Sequence, residues 1–151
     1  MTMTEESPIK ALPLFGPITI DDMRKNDIVG KLAMKRVKEV CELSKGRYTV
    51  AAVTDGLLHG VCQLWGVMRP PADLTAIMLT APRDGILEVL LVGPDIEEAL
   101  PFLPRLDGIA RSERCAKVRM TGPGSWIRKG YTEGWHPVYT VYEKDLGAHR
   151  A

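Results

Sequence analysis

A few side chains in this sequence combine a reactive type with a setting that makes the type unusual. Glu88 is the first. It interrupts Ile86 to Val92 (ILEVLLV), an apolar run of strand length that reads as a central strand buried on both faces. Burying a carboxylate alone costs several kcal/mol, so Glu88 stands at a sheet edge, is paired, or is functional. His59 is a lone histidine in a stretch that reads as strand, and a structural use competes with an acid–base one. Thr121-Gly122-Pro123-Gly124-Ser125 precedes a helix and could hold an anion, although a turn capped by Ser125 accounts for it without a ligand. Trp65, Trp126 and Trp135 suit a core or its rim, and Trp126 and Trp135 exposed together would mark a protein contact. Lys31, Lys35, Arg36 and Lys38 crowd one helix surface that could touch phosphates. Nothing aromatic interleaves them, which favours a solvated face over a nucleic-acid contact.

Other chemistry is excluded more firmly. The three cysteines, Cys41, Cys62 and Cys115, are far apart in apolar surroundings, so they read as buried free thiols in a reducing compartment, with no metal site. No nucleophile–base motif and no P-loop is present. A net charge of +1 gives no global pull towards nucleic acid or acidic membranes. No apolar run reaches the roughly 20 residues needed to span a bilayer. The start, MTMTEESPIK, lacks the apolar centre of a signal peptide, and a cytoplasmic location is expected.

The elements that must position these residues follow from periodicity. With 151 residues, 45% of them hydrophobic, the chain can bury one core, so a single domain over 18–146 is expected, with an extended or flexible arm over 1–17 and a tail over 147–151. Ala11 to Ile20 is broken by Pro13, Gly16 and Pro17 and suits an extended edge segment. Asp21-Asp22 offers a helix start. Ile28, Leu32, Val37, Val40 and Cys41 fall on one helical face, predicting a helix over Ile28 to Leu43 with a stop at Gly46. Asp55-Gly56 predicts a hairpin turn between strands Arg47 to Thr54 and Leu57 to Met68. Leu74 to Thr80 and Ile86 to Val92 are further strands, joined by a turn at Pro82 to Gly85. Asp95 and Glu98 are spaced like a capping box, and a main helix is expected from about Pro101 to Arg114. Lys117 to Leu146 then reads as strand, glycine turn, short helix, glycine stop at Gly134, and strand. The sum is mixed α/β, an α+β arrangement on a mixed sheet: an antiparallel N-terminal meander followed by a C-terminal β-α-β unit.

That order of elements, with Asp55-Gly56-Leu57-Leu58-His59-Gly60-Val61 and the stretch from Trp126-Ile127-Arg128 to Gly134-Trp135, resembles the GNAT fold of acetyl-CoA-dependent N-acetyltransferases. The ending resembles the small GNAT-like proteins of tailed phages, including the internal-virion type. The resemblance implies a pyrophosphate loop directly after the central strand, which places Val92, Gly93 and Ile96 at a cofactor. It also implies a late-helix tyrosine that protonates the leaving thiolate, with Tyr131 one residue out of phase. Glu88 or His59 would be the general base.

The loop departs from the family pattern. Only Gly93 suits a phosphate cradle, Pro94 has no N–H to give, and Asp95, Glu97 and Glu98 place negative charge where a polyanion would lie. The expectation is therefore a GNAT-like protein that acts through protein contacts, with itself or with phage structural proteins in virion assembly, and needs no cofactor. The alternative is an acyl-CoA-dependent N-acyltransferase with a degenerate loop, using acetyl-CoA. An open gap between the Ile86–Val92 and Lys117–Met120 strands, with Glu88 facing it, would support that alternative.

Overall fold

The structure, a computed structural model, describes residues 12–25, 27–122, 134–138, 142, 144, 146 and 147. The chain divides into two compact units, Met1–Thr121 and Gly122–Ala151. The first carries β1 (Leu14–Ile18), α1 (Ile20–Arg24), α2 (Ile28–Leu43), α3 (Val50–Leu58), β2 (Gln63–Arg69), β3 (Asp73–Arg83) and β4 (Ile86–Pro94). It continues with α4 (Ile96–Ala99), a 3₁₀ turn (Leu100–Phe102), α5 (Arg105–Ser112) and β5 (Lys117–Met120). The strands form one five-stranded sheet in sequence order. β1 to β4 pair antiparallel, and β5 joins β4 parallel after the helical crossover. The class is thus α+β on a mixed sheet. In the second unit, Trp135 is half-buried, while the strand expected over Val138 to Tyr142 falls largely, and the helix carrying Trp126 and Tyr131 entirely, outside the described residues.

Local chemistry accounts for most of these boundaries. Thr19 caps α1 reciprocally: its Oγ1 accepts from the Asp22 N–H at 3.1 Å, and its own N–H donates to Asp22 Oδ2 at 2.9 Å. That backbone bond is the main reason the Asp22 carboxyl is held below its ordinary range. Asp27 caps α2 through the Gly30 N–H at 2.8 Å. Pro13 and Pro17 share the alternation of Phe15, so the outer edge of β1 has few N–H groups to offer another strand.

The sheet has two different faces. Leu64, Ile77, Leu79 and Ala81 pack with Val37, Val40 and Cys41 of α2, Val53 of α3, and Ile18 and Met23. On the opposite face, Phe15 stacks on Trp65 (5.8 Å between ring centroids) and on Phe102 (5.3 Å). Arg105 of α5 lies 5.7 Å over the Phe15 ring. Trp65 donates its indole N–H to Thr80 Oγ1 at 2.9 Å, which satisfies the buried hydroxyl.

The α2 helix is fixed to the sheet by a polar contact as well. Arg36 Nε donates to the Leu74 carbonyl at 2.7 Å, and Nη1 donates to both Glu39 oxygens at 2.9 and 3.0 Å. The side chain is only 18% exposed. Hydrogen bonds to charged groups contribute about 1.5–3 kcal/mol, so Arg36→Met should lower unfolding stability by about 2 kcal/mol. Urea titration should show a lower midpoint with an unchanged slope. A loss below about 0.5 kcal/mol would mean that the contact contributes no more than an ordinary surface pair.

Three expectations need correction. The hairpin at Asp55-Gly56 does not exist: α3 covers Val50–Leu58. Val50, Val53 and Leu57 recur at helical spacing, and Thr49 caps the helix by accepting from the Ala52 N–H at 3.1 Å. Gly56 is there for space, since a Cβ would stand 2.8 Å from Cys62 Sγ. The helix expected from Pro101 to Arg114 is split into a 3₁₀ turn and α5, because Pro104 occupies the position before α5. Finally, β4 is buried on both faces only in part. Leu87 and Val89 are buried on one face and Leu91 on the other, but Ile86 and Glu88, on the face of Leu91, are only half-buried, so the burial is incomplete on that face.

Candidate functional site

The site is built where β5 ends alongside β4. β5 pairs only with the first part of β4, in the register Ile86 to Lys117, Leu87 to Val118, Glu88 to Arg119 and Val89 to Met120. β4 runs on to Pro94. Among the described residues, no strand pairs with this side of β4 beyond Val89. The Leu90 to Gly93 edge thus presents backbone polar groups that no described strand pairs on this side. β4 also carries a bulge here. Leu79 pairs with Leu91 and Thr80 with Val89, so Leu90 is an extra residue in β4, and the strand bends there.

Glu88 sits one residue before the end of the β4–β5 pairing. It pairs across the ladder with Ala81, a core residue of the α2 face, so its side chain lies on that face. Its carboxylate is 3.8 Å from Arg119 Nη1, with the two side chains 28% and 34% exposed. Of the three uses open to Glu88 from sequence, the edge position is excluded by β5, and an ion pair is found. The pair is reachable by solvent, so it leaves the carboxylate available for chemistry.

The loop after β4 has the strained turn that a cradle needs, with less capacity for phosphate. Gly93 is buried with φ of 142°, which disfavours a side chain. Val92 and Ile96 are half-buried on either side. Pro94 has no N–H, and Asp95 Oδ1 accepts from the Glu98 N–H at 3.2 Å, so that amide is taken, as the expected cap requires. The acidic residues are not left uncompensated. Arg69, at the end of β2, donates to Glu98, and this hydrogen bond holds the guanidinium pKa above its ordinary value, with the Glu98 and Asp95 charges adding to it. The negative charge of the loop is thereby smaller than the sequence suggests.

Other candidates separate from this site. His59 is not on a strand: it follows α3, 68% exposed, with Nδ1 3.3 Å from Asp55 Oδ1. Its place as a strand-borne general base is lost with the hairpin. Tyr131 and Trp126 lie outside the described residues, as does Ser125 of the glycine turn. Burial pushes the Cys41 and Cys62 thiols up, so both are poor nucleophiles, and all three cysteines are buried and free. No group of metal-ligating residues forms among the described residues. No helix among them is long and apolar enough to cross a membrane. Sequence reasoning missed Arg119 and Arg69, whose roles depend on which strands become neighbours.

No family model matches the chain, and no curated protein matches it. Solved structures do. A probable acetyltransferase superposes with a TM-score of 0.66 at 10% identity, covering 90% of this chain and 99% of that one. A predicted acetyltransferase from Clostridium acetobutylicum, solved with acetyl-CoA, gives 0.60 at 11% identity over 89% and 97%. The ribosomal-protein-alanine N-acetyltransferase of Brucella melitensis biovar Abortus 2308 gives 0.60 at 11% identity over 89% and 99%. At such identities the likeness establishes architecture, and the protein has the GNAT acetyltransferase fold.

Proposed function

We infer that the protein is an N-acyltransferase that takes its acyl group from an acyl-CoA thioester, with Glu88 as general base and modest affinity for the CoA phosphates. The observation that carries this reading is the stretch of β4 beyond Val89, with which no described strand pairs on the β5 side, beside the Leu90 bulge. The Leu90 to Gly93 backbone edge, unpaired on this side among the described residues, suits the amides of a pantetheine arm. Val92 and Ile96 would line it. The thioester supplies an activated acyl carbon. Glu88, on β4, takes the proton of the attacking amine directly or through a water. That a structural relative was solved with acetyl-CoA is in keeping with this reading.

The phosphate end fits less well, and this decides the expected strength. Pro94 and the Asp95 cap withhold two amides, and the Asp95 charge opposes a polyanion. A like charge in a partly screened site costs on the order of 1 kcal/mol, so acetyl-CoA should bind about fivefold more weakly than it would without the Asp95 charge.

A second reading is favoured by that same loop: a GNAT-fold protein without catalysis, working through protein contacts, for which virion assembly is the setting suggested by the resemblance of the chain's ending. Acetyl-CoA titration followed by calorimetry and thermal shift separates the two. Saturating acetyl-CoA should raise the melting temperature, since ligand at 100 times its dissociation constant stabilises by about 2.7 kcal/mol. Asp95→Asn keeps a capping side chain while removing the charge, and should tighten acetyl-CoA by about fivefold. No shift at millimolar acetyl-CoA in either protein would retire the enzyme and leave the protein-contact reading.

A further inference from the structure

The face of the sheet opposite α2 has a groove between its β1 edge and α5. Phe15 and Gly16 of β1 with Trp65 of β2 form one wall, and Arg105, Gly108 and Ile109 of α5 form the other. Positions i, i+3 and i+4 share one face of a helix, so these three α5 residues meet the groove together. Each wall includes a glycine, and a Cβ added at Gly16 or at Gly108 would meet no atom within 4 Å. The groove, about 280 Å³, is therefore space that missing side chains on both walls leave unfilled.

The lining suits a flat ring. The Phe15 ring lies within 4° of parallel to Trp65 and 12° of parallel to Phe102. The indole is held by its hydrogen bond to Thr80 Oγ1 at 2.9 Å, so the plane of the stack is set before any ligand arrives. Phe15, Trp65 and Ile109 are half-buried, and a ring laid on them removes apolar surface from water at little ordering cost. A cation stands at the same place: Arg105 is exposed, with its guanidinium 5.7 Å over the Phe15 ring. A guanidinium donates in its own plane, so it can take a carboxylate while it remains over the ring. On the same helix Asp107 falls on a different face, and Glu113, beyond its end, accepts from Gln63 Nε2 at 3.2 Å. A space below the range of drug-sized pockets admits one ring system with a short acid chain. We propose that the groove is a ligand site for a free, small aromatic acid, an indole or benzene carrying a carboxylate, with its ring against Phe15 and Trp65 and its carboxylate on Arg105. The groove lies on the sheet face opposite Glu88, so this ligand is not the amine acceptor, and the inference stands independently of the acyltransferase reading.

The test uses the full chain and ligand-observed NMR titration. The probes are indole-3-acetate and benzoate, the amides indole-3-acetamide and benzamide, and cyclohexanecarboxylate. Indole-3-acetate should bind with a dissociation constant of about 0.1–1 mM, the range open to so small a ligand. The amides should bind about three- to fivefold more weakly, the scale of an exposed ion pair. Cyclohexanecarboxylate, which keeps the charge but is not flat, should bind more weakly than benzoate. Arg105→Gln should remove the preference for acid over amide and leave amide affinity within a factor of about two. Gly108→Leu fills the groove at a helix position with room for a side chain, so binding should be lost while the melting temperature does not fall. No binding of either aromatic acid at about 5 mM would overturn the proposal. So would amides bound as well as acids, an equal loss for both in Arg105→Gln, or unchanged binding in Gly108→Leu. A dimer in sedimentation that Gly108→Leu dissociates would overturn it too, and would assign the groove to a second copy of the chain.

Discussion

Glu88→Gln is expected to lower kcat by about 10²–10⁴-fold while leaving acetyl-CoA affinity within a factor of two, because general-base catalysis contributes on that scale and the change does not touch the backbone edge that would hold the thioester. Glutamine preserves the shape of the side chain and can still contact Arg119, so the protein should fold. The ion pair is partly exposed on both sides, and exposed pairs are worth about 0–1 kcal/mol, so the melting temperature should move little. The contrast between a large loss of turnover and a small loss of stability is the signature sought. A fall in kcat below about tenfold would remove Glu88 from the chemistry and leave it a surface ion pair.

The two halves of this site were legible to different degrees. Glu88 stood out because a carboxylate inside an apolar run demands an explanation, and the structure supplies one in Arg119. The sequence could not name that partner. Glu88 and Arg119 are separated by a helical crossover, and only the parallel register of β4 and β5 makes them neighbours. The extended Leu14–Ile18 segment and the helix Ile28–Leu43 followed directly from proline placement and helical spacing. Val50 to Leu58 did not, because Asp55-Gly56 is a strong turn signal in isolation. Tertiary packing overrides it: Gly56 lies against Cys62, and Thr49 supplies the cap that starts a helix. His59 was misplaced for the same reason, since a histidine on a strand and one after a helix have different neighbours. The Asp95 cap was read correctly, yet the charge of the loop was overstated, because Arg69 arrives from a strand distant in sequence. For Glu88 and the acidic loop the local reading held and the missing information was long-range, whereas at Asp55-Gly56 the local turn rule itself failed.

Gly30→Ala should destabilise the protein by about 2–3 kcal/mol, although alanine favours a helix interior over glycine by about 1 kcal/mol. The reason is the approach of α1 to the first turn of α2. A Cβ on Gly30 would stand 2.3 Å from the Lys25 carbonyl oxygen and 2.9 Å from that of Asp22. Both are backbone atoms, so no rotamer change relieves the clash, and α1 must move. α1 carries Met23 into the core beside Ile18 of β1, so its displacement loosens the edge of the sheet as well. For a chain of this size the loss corresponds to a melting temperature lower by about 5–10 °C. Gly108→Ala provides the opposite case. It lies in α5 with no atom within 4 Å of the added methyl, so helix propensity alone acts and stability should rise by up to about 1 kcal/mol. The same chemical change at two helical glycines should thus have opposite signs. Urea unfolding of both variants would decide it, and two shifts of the same sign would show that contact with α1 does not set the role of Gly30.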